Sequence, residues 1–282
     1  MSELKILDGD AGAKYLGATG TGATGDPYFT IPALFELEIE KGNVFGHEIQ
    51  QGAGKNPSIA AGPEDVWNGG GTFTGFPTGA AETMEIFSSD ANDTSAGTGA
   101  RTVLIKNLLD ATGAEASDVT VTLNGTTPVS LGAGTYYRGG SQMQVLTAGS
   151  GEENAGTLTL RHTSTTANIF AVMPIAHNFT AILAYTVPLG KTLYINRVSI
   201  QMARASGAAG SAEITLRLRP HGTDTVFAAI TSPQITDGHG YTFENDGWYS
   251  VPARTDLKVR VDSVSDTGTI VSGDYGGILI AD

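Results

Sequence analysis

The chain has 282 residues, and a prior of about 150 residues per domain favours two domains. Hydrophobic residues make up 40% of the sequence and charged residues 16%, so the chain is too apolar to be disordered throughout. Its formal net charge of -13 disfavours nucleic acid and anionic membranes as partners. The absence of cysteine excludes disulfides, thiolate metal sites and cysteine nucleophiles.

The amino terminus does not resemble a targeting segment. Residues 1–10 are acidic where a secretory signal needs positive charge, and no apolar run of about 7–15 residues follows them. No run of about 18 apolar residues occurs, so no transmembrane helix is expected. We therefore expect a protein that is made and kept soluble.

The first 60 residues are predicted to form an extended arm. Residues 17–27 are mostly glycine, alanine and threonine, which bury little apolar surface and lose much backbone entropy on ordering. Phe35, Leu37 and Ile39 alternate with three glutamates, which is the period of a half-buried strand. Residues 41–82 are glycine-rich and are predicted to be irregular. We expect the arm, residues 1–60, to become ordered on a partner through six apolar residues: Phe29, Ile31, Leu34, Phe35, Leu37 and Ile39.

Short strands separated by turn signals begin near residue 83. In the segment 119–123, Val119, Val121 and Leu123 would face one way and two threonines the other. Asn124-Gly125 follows directly and favours a tight hairpin turn. The candidate strands of this part are 83–87, 102–108, 119–123, 136–138, 143–147 and 157–162.

A second series of strands begins near residue 180. Its alternation is persistent: Ile214, Leu216 and Leu218, for example, are expected to face a core. The candidate strands are 183–187, 192–200, 213–219, 257–261 and 277–280. We predict an all-β protein with two antiparallel β-sandwich or jelly-roll-like domains, over 61–178 and 179–282, behind the arm.

No sequence motif predicts a cofactor, a metal ion or a catalytic group. Residues 20–25 match the letters of a dinucleotide fingerprint but lack the strand before and the helix after that such a site needs. The five histidines lack the spacing of paired zinc ligands. Residues 90–94 offer oxygen ligands for calcium, but Ser95 stands where a helix-loop-helix site needs glycine, so Asx turns are favoured.

An enzyme is not expected, although a catalytic pair assembled from distant positions would leave no local signature. There is no Gly-x-Ser-x-Gly elbow, and the three glutamates at 36, 38 and 40 are expected to be solvated. A sugar-binding platform formed by aromatic residues is an alternative function, because flat rings stack on sugars. Packing in a core or an interface is the favoured interpretation for this set: Trp67, Phe73, Phe76, Tyr136, Tyr137, Trp248 and Tyr249.

Several segments together resemble virion structural proteins of tailed bacteriophages, especially phages of aquatic bacteria. The resemblance covers about residues 54–200. It is carried by Gly54-Lys55-Asn56-Pro57, Glu64-Asp65-Val66-Trp67-Asn68-Gly69-Gly70-Gly71, Phe76-Pro77-Thr78, and the segments 81–86, 92–103, 121–129, 154–161 and 185–192. The resemblance implies a component of a phage particle.

Together with the predicted arm, this resemblance favours a capsid cement or decoration protein. An arm that becomes ordered over a wide surface, and adds a strand to a neighbour's edge, provides affinity. The implied partners are the major capsid protein and further copies of the chain in a homotrimer. The implied location is the capsid surface of the virion, after synthesis in the host cytoplasm. The alternative is a tail, neck or baseplate component, including one that binds a host glycan as receptor.

Overall fold

The computed structural model describes residues 35–60, 62–204, 210–220, 226–236 and 240–282, and the backbone of two short paired strands before them. For residues 243–247 it describes the backbone alone. The first elements are β1 (Ile6–Leu7), β2 (Ala13–Lys14), α1 (Phe35–Glu40), β3 (His47–Ile59) and β4 (Glu64–Asp65).

Nine strands follow between residues 84 and 173. They are β5 (Met84–Ser88), β6 (Ala100–Lys106), β7 (Leu109–Asp110), β8 (Val119–Thr122), β9 (Val129–Ser130), β10 (Tyr136–Arg138), β11 (Gln142–Ala148), β12 (Leu158–His162) and β13 (Ile169–Met173). Sheets β11-β6-β8 and β13-β12-β5-β9 enclose one hydrophobic core. We call it the N-terminal core; Ile86, Ile105, Leu160 and Phe170 are fully buried in it.

The remaining strands build a second core, which we call the C-terminal core. They are β14 (Ala184–Thr186), β15 (Lys191–Arg204), β16 (Ser211–Arg219), β17 (Ala228–Thr231), β18 (Gln234–Thr236), β19 (Gly240–Val251), β20 (Asp256–Val264) and β21 (Thr269–Ala281). One sheet has the order β14-β20-β16-β17, with β18 on β16 and β4 on β20, and the other has the order β19-β15-β21-β3. The expected core residues Ile214, Leu216 and Leu218 are all buried.

The all-β, antiparallel architecture is confirmed, since every strand pairing in the described part of the chain is antiparallel.

The two cores meet along segments 66–67 and 182–185. Along the second segment Leu183 packs in the C-terminal core, whereas Ile182 and Ala184 pack in the N-terminal core. Alternate side chains of one extended segment therefore face opposite cores.

The prediction that residues 41–60 are irregular is wrong for β3. This strand, within the predicted arm, pairs with β21 from His47 opposite Ile280 to Ile59 opposite Thr269. Its glycines reflect close packing: a Cβ on Gly52 would lie 2.2 Å from the ring of Tyr275. Glycine is rare in strands on average, but it is needed at a position that another group approaches too closely for a side chain.

The prediction of a strand over residues 35–40 is also wrong, because these residues form helix α1. The helix ends in a Schellman motif, in which Asn43 N–H donates to the Glu38 carbonyl and Gly42 N–H to that of Ile39. Gly42 has the required positive φ of 73°. Phe35 and Ile39 are four residues apart and share one helix face, so an alternating pattern this short fits both structures.

The predicted hairpin at Asn124-Gly125 is wrong as well, although the turn exists. Gly125 has a φ of 60°, and Thr127 N–H donates to the Asn124 carbonyl. The strand before the turn, β8, pairs with β6, whereas β9 after it pairs with β5 of the opposite sheet. The turn therefore carries the chain from one sheet of the N-terminal core to the other.

Candidate functional site

The six apolar residues predicted to contact a partner divide into three groups. Phe29, Ile31 and Leu34 lie outside the described residues. On α1, Ile39 is buried, and the half-buried Phe35 ring packs edge-on against His47 at 6.2 Å. Only Leu37 of the described three is exposed. Phe35 and Ile39 therefore make contacts within the protein.

One end of the molecule presents apolar side chains that the sequence analysis did not select. Phe45, in the loop between α1 and β3, is 95% exposed, and Leu189 is 46% exposed. The last two residues tie these loops together, because Ala281 N–H donates to the Gly46 carbonyl and Asp282 N–H to that of Gly190. We call the loops 43–46 and 188–190 the Phe45 surface. An aromatic side chain this exposed is a candidate anchor for a partner.

A groove lies between the outer face of β6 and β11 and the edge of β3. It consists of two adjoining cavities of 440 Å³ and 690 Å³. Phe179, which is 58% exposed, lines the first cavity, and α1 lines the second. The residues shared by both cavities are Gln50, Gln51, Lys106, Asn107 and Gln142.

Among the described residues, no further strand pairs with the edge of β3 that faces this groove, and we call this edge open. The Ala53 carbonyl accepts a hydrogen bond from Ile182 N–H at 2.7 Å, which shows that Ala53 points away from β21. Main-chain groups of alternate residues share an edge, so those of Ile49 and Gln51 point the same way. Within the described residues they make no main-chain hydrogen bond, and only the Gln50 side chain reaches the Gln51 carbonyl, at 3.3 Å. An open edge beside a groove can accept an added strand.

The two cores are joined by a buried network of charges. Arg138 of β10 donates from Nε and Nη2 to the two carboxylate oxygens of Asp256 of β20, at 3.0 and 3.1 Å. Arg219 of β16 donates to the same carboxylate at 2.6 Å, as does the Thr186 hydroxyl. Arg138 also stacks on Tyr137, with its guanidinium carbon 3.8 Å from the ring centre. Each charge therefore has a partner, as burial requires.

Sequence reasoning missed this network for an identifiable reason. The alternation over 257–261 correctly predicts Leu257 and Val261 in the core. It implies that the intervening charged side chains face solvent, but Lys258 is buried, and so is Asp256, which precedes this segment on the same face. The N-terminal core packs on the face of β20 that bears them. The local sequence pattern of β20 does not show that this face is buried.

Asp93, which the sequence analysis considered as a calcium ligand, organises a loop instead. It is fully buried, and its two oxygens accept hydrogen bonds from the Ser88 hydroxyl and from the main-chain N–H groups of Ala100, Ala155 and Gly156, at 2.6–2.8 Å. Asp90 makes the Asx turn that was predicted, since it accepts from Asn92 N–H at 2.8 Å. Within the described residues, no group of His, Asp and Glu side chains is arranged to hold a metal ion.

The other candidate residues are also placed by the structure. Trp67, Phe73 and Tyr136 are buried in the N-terminal core, which confirms their predicted packing role, whereas Trp248 is 46% exposed on β19. Two of the five histidines, at 221 and 239, lie outside the described residues. In the part of the chain that the structure describes, no helix is long and apolar enough to span a membrane.

His162 is the fully buried histidine among those described, and it predicts a pH dependence. Its Nε2 lies 3.2 Å from the Tyr136 carbonyl and its Nδ1 3.2 Å from the Asn168 amide, a pattern that suits the neutral ring. Burial lowers the pKa of His162 below its usual value of 6.5, against the opposing effect of the Glu82 carboxylate. Below about pH 6.5 the His162 ring takes up a proton more readily in the unfolded chain than in the folded chain. The free energy of unfolding therefore decreases as the pH is lowered.

We expect His162→Gln to remove this part of the pH dependence. The free energy of unfolding, measured by denaturant titration between pH 8 and pH 5.5, should fall more steeply for the wild-type protein than for the variant. Identical slopes in the two proteins would contradict the assignment.

Comparisons with known proteins give distant similarities alone. No protein-family model matches this chain, and no curated protein matches it. A chain in the solved structure of infectious bursal disease virus, Gx strain, is 10% identical over 83% of this chain and 72% of that chain, with a TM-score of 0.24. The tandem CBM22-1-CBM22-2 domains of Paenibacillus barcinonensis Xyn10C are 13% identical over 84% and 94%, also with a TM-score of 0.24. Similarities this distant do not indicate a function.

Proposed function

We propose that the protein is a non-enzymatic structural component of a bacteriophage particle, and specifically a cement protein on the capsid surface. The observation that carries the proposal is the open edge of β3 beside the groove, because it offers main-chain hydrogen bonds to an extended segment of a neighbouring protein. The segmental resemblance to phage virion proteins supports the same assignment. The proposed partner is the major capsid protein.

The docking surface has three parts on the side of the molecule where the N-terminal segment joins the fold. The β3 edge would accept a strand of the capsid protein, with Ile49 and Gln51 providing the hydrogen bonds. Phe45 would anchor the contact by burying its ring, which is the kind of side chain that dominates interface energies. Residues 1–34, with Phe29 and Ile31, would add a second extended contact.

Gln51→Pro tests the strand addition directly. Proline removes the outward-pointing N–H but is tolerated at strand edges, so the fold should persist. We expect binding to purified phage shells that lack the protein to weaken by about tenfold or more, because a main-chain hydrogen bond is lost and the ring obstructs the edge. Gln51→Ala is the matched control, since it removes the side chain and keeps the N–H. Equal binding by the two variants would reject strand addition at β3.

Deletion of residues 1–34 tests the N-terminal contact separately. All described members of both cores lie after this segment, so melting temperature and circular dichroism should be retained. Shell binding should be lost or strongly reduced. Full occupancy by the truncated protein would remove the segment from the proposal and leave the β3 edge in place.

Copy number separates the cement function from a place in the tail, neck or baseplate. A cement protein recurs with the capsid lattice, whereas a tail or neck component is confined to one symmetric ring. Quantitative mass spectrometry of purified particles should therefore find this chain at a fixed high ratio to the major capsid protein. A homotrimer, which is part of the proposal, is checked by sedimentation of the free protein.

A further inference from the structure

Lys258 and Asp65 form a buried pair that the proposed function does not use. Nζ of Lys258, on β20, lies 2.9 Å from Oδ2 of Asp65, on β4. The two side chains are 8% and 3% exposed. Asp65 is directly opposite Arg260 in the register of these strands, so Lys258 is its diagonal neighbour on the same face. The pair thus joins a strand near the start of the described fold to one near its end.

Aromatic rings surround this pair. The ring centre of Phe227 lies 4.7 Å from Nζ, and Phe76 packs between Phe227 and Phe73 at ring distances of 5.8 and 4.9 Å. The main-chain N–H of Phe73 donates to Oδ2 of Asp65 at 2.7 Å. The other oxygen, Oδ1, is buried and has no hydrogen-bond partner within the described residues. One oxygen of the carboxyl group is therefore held and polarised, and the other is left free.

This environment favours the protonated form of the Asp65 carboxyl group. Burial raises the pKa of Asp65 despite the opposing effect of Lys258. An ion pair in such surroundings has lost the water that stabilised each charge, and transfer of a proton from the ammonium group to the carboxylate removes both charges. The products of that transfer are an amine and a carboxylic acid in contact, which are the reactants of amide formation.

We propose that Lys258 and Asp65 condense to form an intramolecular amide bond. Nζ attacks Cγ of the protonated Asp65 side chain, and the Nζ–Cγ bond forms. The Cγ–Oδ1 bond breaks. Oδ1 carries the proton of the carboxylic acid, takes a second proton from Nζ and leaves as one water molecule. Oδ2 becomes the amide oxygen, and the Phe73 N–H stabilises the negative charge that it carries during the reaction. The step needs no oxidant, reductant or cofactor.

The crosslink would close a loop from residue 65 to residue 258 around both cores. A covalent link across a loop this long restricts the unfolded chain strongly, by the same argument that applies to disulfides. It would stabilise the fold by a covalent crosslink in a protein that has no cysteine for disulfides.

The chain contains its own control for this proposal. Lys191 lies 2.7 Å from Glu48 and 2.6 Å from Glu115, so it is at least as close to carboxylates as Lys258 is. Those two carboxylates are 58% and 43% exposed. Solvent stabilises their charged forms, and Lys191 is expected to keep its free amine.

Mass spectrometry of the full-length, denatured protein tests the proposal. We expect the wild-type protein to be lighter than Lys258→Arg by the substitution difference and, in addition, by the mass of one water. Peptide mapping should recover the Asp65 peptide joined to the Lys258 peptide. Lys191→Arg should retain the deficit of one water. A wild-type protein at its full sequence mass overturns the proposal whether or not the variants fold, and so does a deficit that persists in Lys258→Arg.

Discussion

Asp256→Asn is expected to lower the free energy of unfolding by about 3–5 kcal/mol, the cost of removing one partner from a buried ion pair. The substitution is nearly isosteric, so it leaves packing unchanged. It removes the charge and replaces one acceptor oxygen by an NH₂ group that faces donors. Arg138 and Arg219 would then face each other across a neutral amide, with side chains that are 2% and 11% exposed. Neither guanidinium group can lose its proton to relieve the repulsion.

Denaturant titration, followed by tryptophan fluorescence and by circular dichroism, measures this effect. Trp67 reports on the N-terminal core in which it is buried. The control is Asp274→Asn, because Asp274 forms an ion pair with Arg197 at 2.8 Å but both side chains are about half exposed. That exposed pair should contribute at most about 1 kcal/mol. Equal effects at Asp256 and Asp274 would show that burial of the network has no energetic consequence.

Asp93→Asn is expected to lower the free energy of unfolding by about 2–4 kcal/mol. The carboxylate of Asp93 accepts two hydrogen bonds at each oxygen, including three from main-chain N–H groups. Asparagine replaces one oxygen by an NH₂ group, which would point at donors that are themselves buried. At least one main-chain N–H then loses its acceptor without gaining water.

Thermal and denaturant unfolding measure this loss, with Asp118→Asn as the control at an exposed carboxylate. The control should change stability by no more than about 0.5 kcal/mol. Since protein donors saturate Asp93, neither calcium nor a chelator should shift the unfolding midpoint of the wild-type protein. A calcium-dependent shift that disappears in Asp93→Asn would instead assign this loop to a metal site.

The contrast between β16 and β3 shows where sequence reasoning succeeds. Strand β16 has bulky apolar residues at every second position, and its inward residues were predicted correctly. Strand β3 has glycines where side chains of other elements press against it, so its sequence resembles an irregular segment. The information that identifies β3 as a strand lies in β21, more than 200 residues away along the chain.

The errors at α1 and at Asn124-Gly125 have different causes. For α1 the local signal was present, because Gly42 stands at the position of a helix-ending glycine, and a six-residue alternation was given more weight than this cap. At Asn124-Gly125 the turn chemistry was correctly recognised. Which strand the chain joins after the turn depends on pairing with β5, and a dipeptide does not encode that choice.

The sequence by itself determined the all-β class, the antiparallel strands with strong alternation and the side chains that share a face, because these follow from the two-residue period of an extended chain. Only the tertiary structure decided which faces meet. It buried the charged side of β20 against the N-terminal core, left the β3 edge open beside a groove and placed Lys258 against Asp65. These features depend on contacts between residues far apart in the chain, and such contacts leave no periodic trace in either partner's sequence.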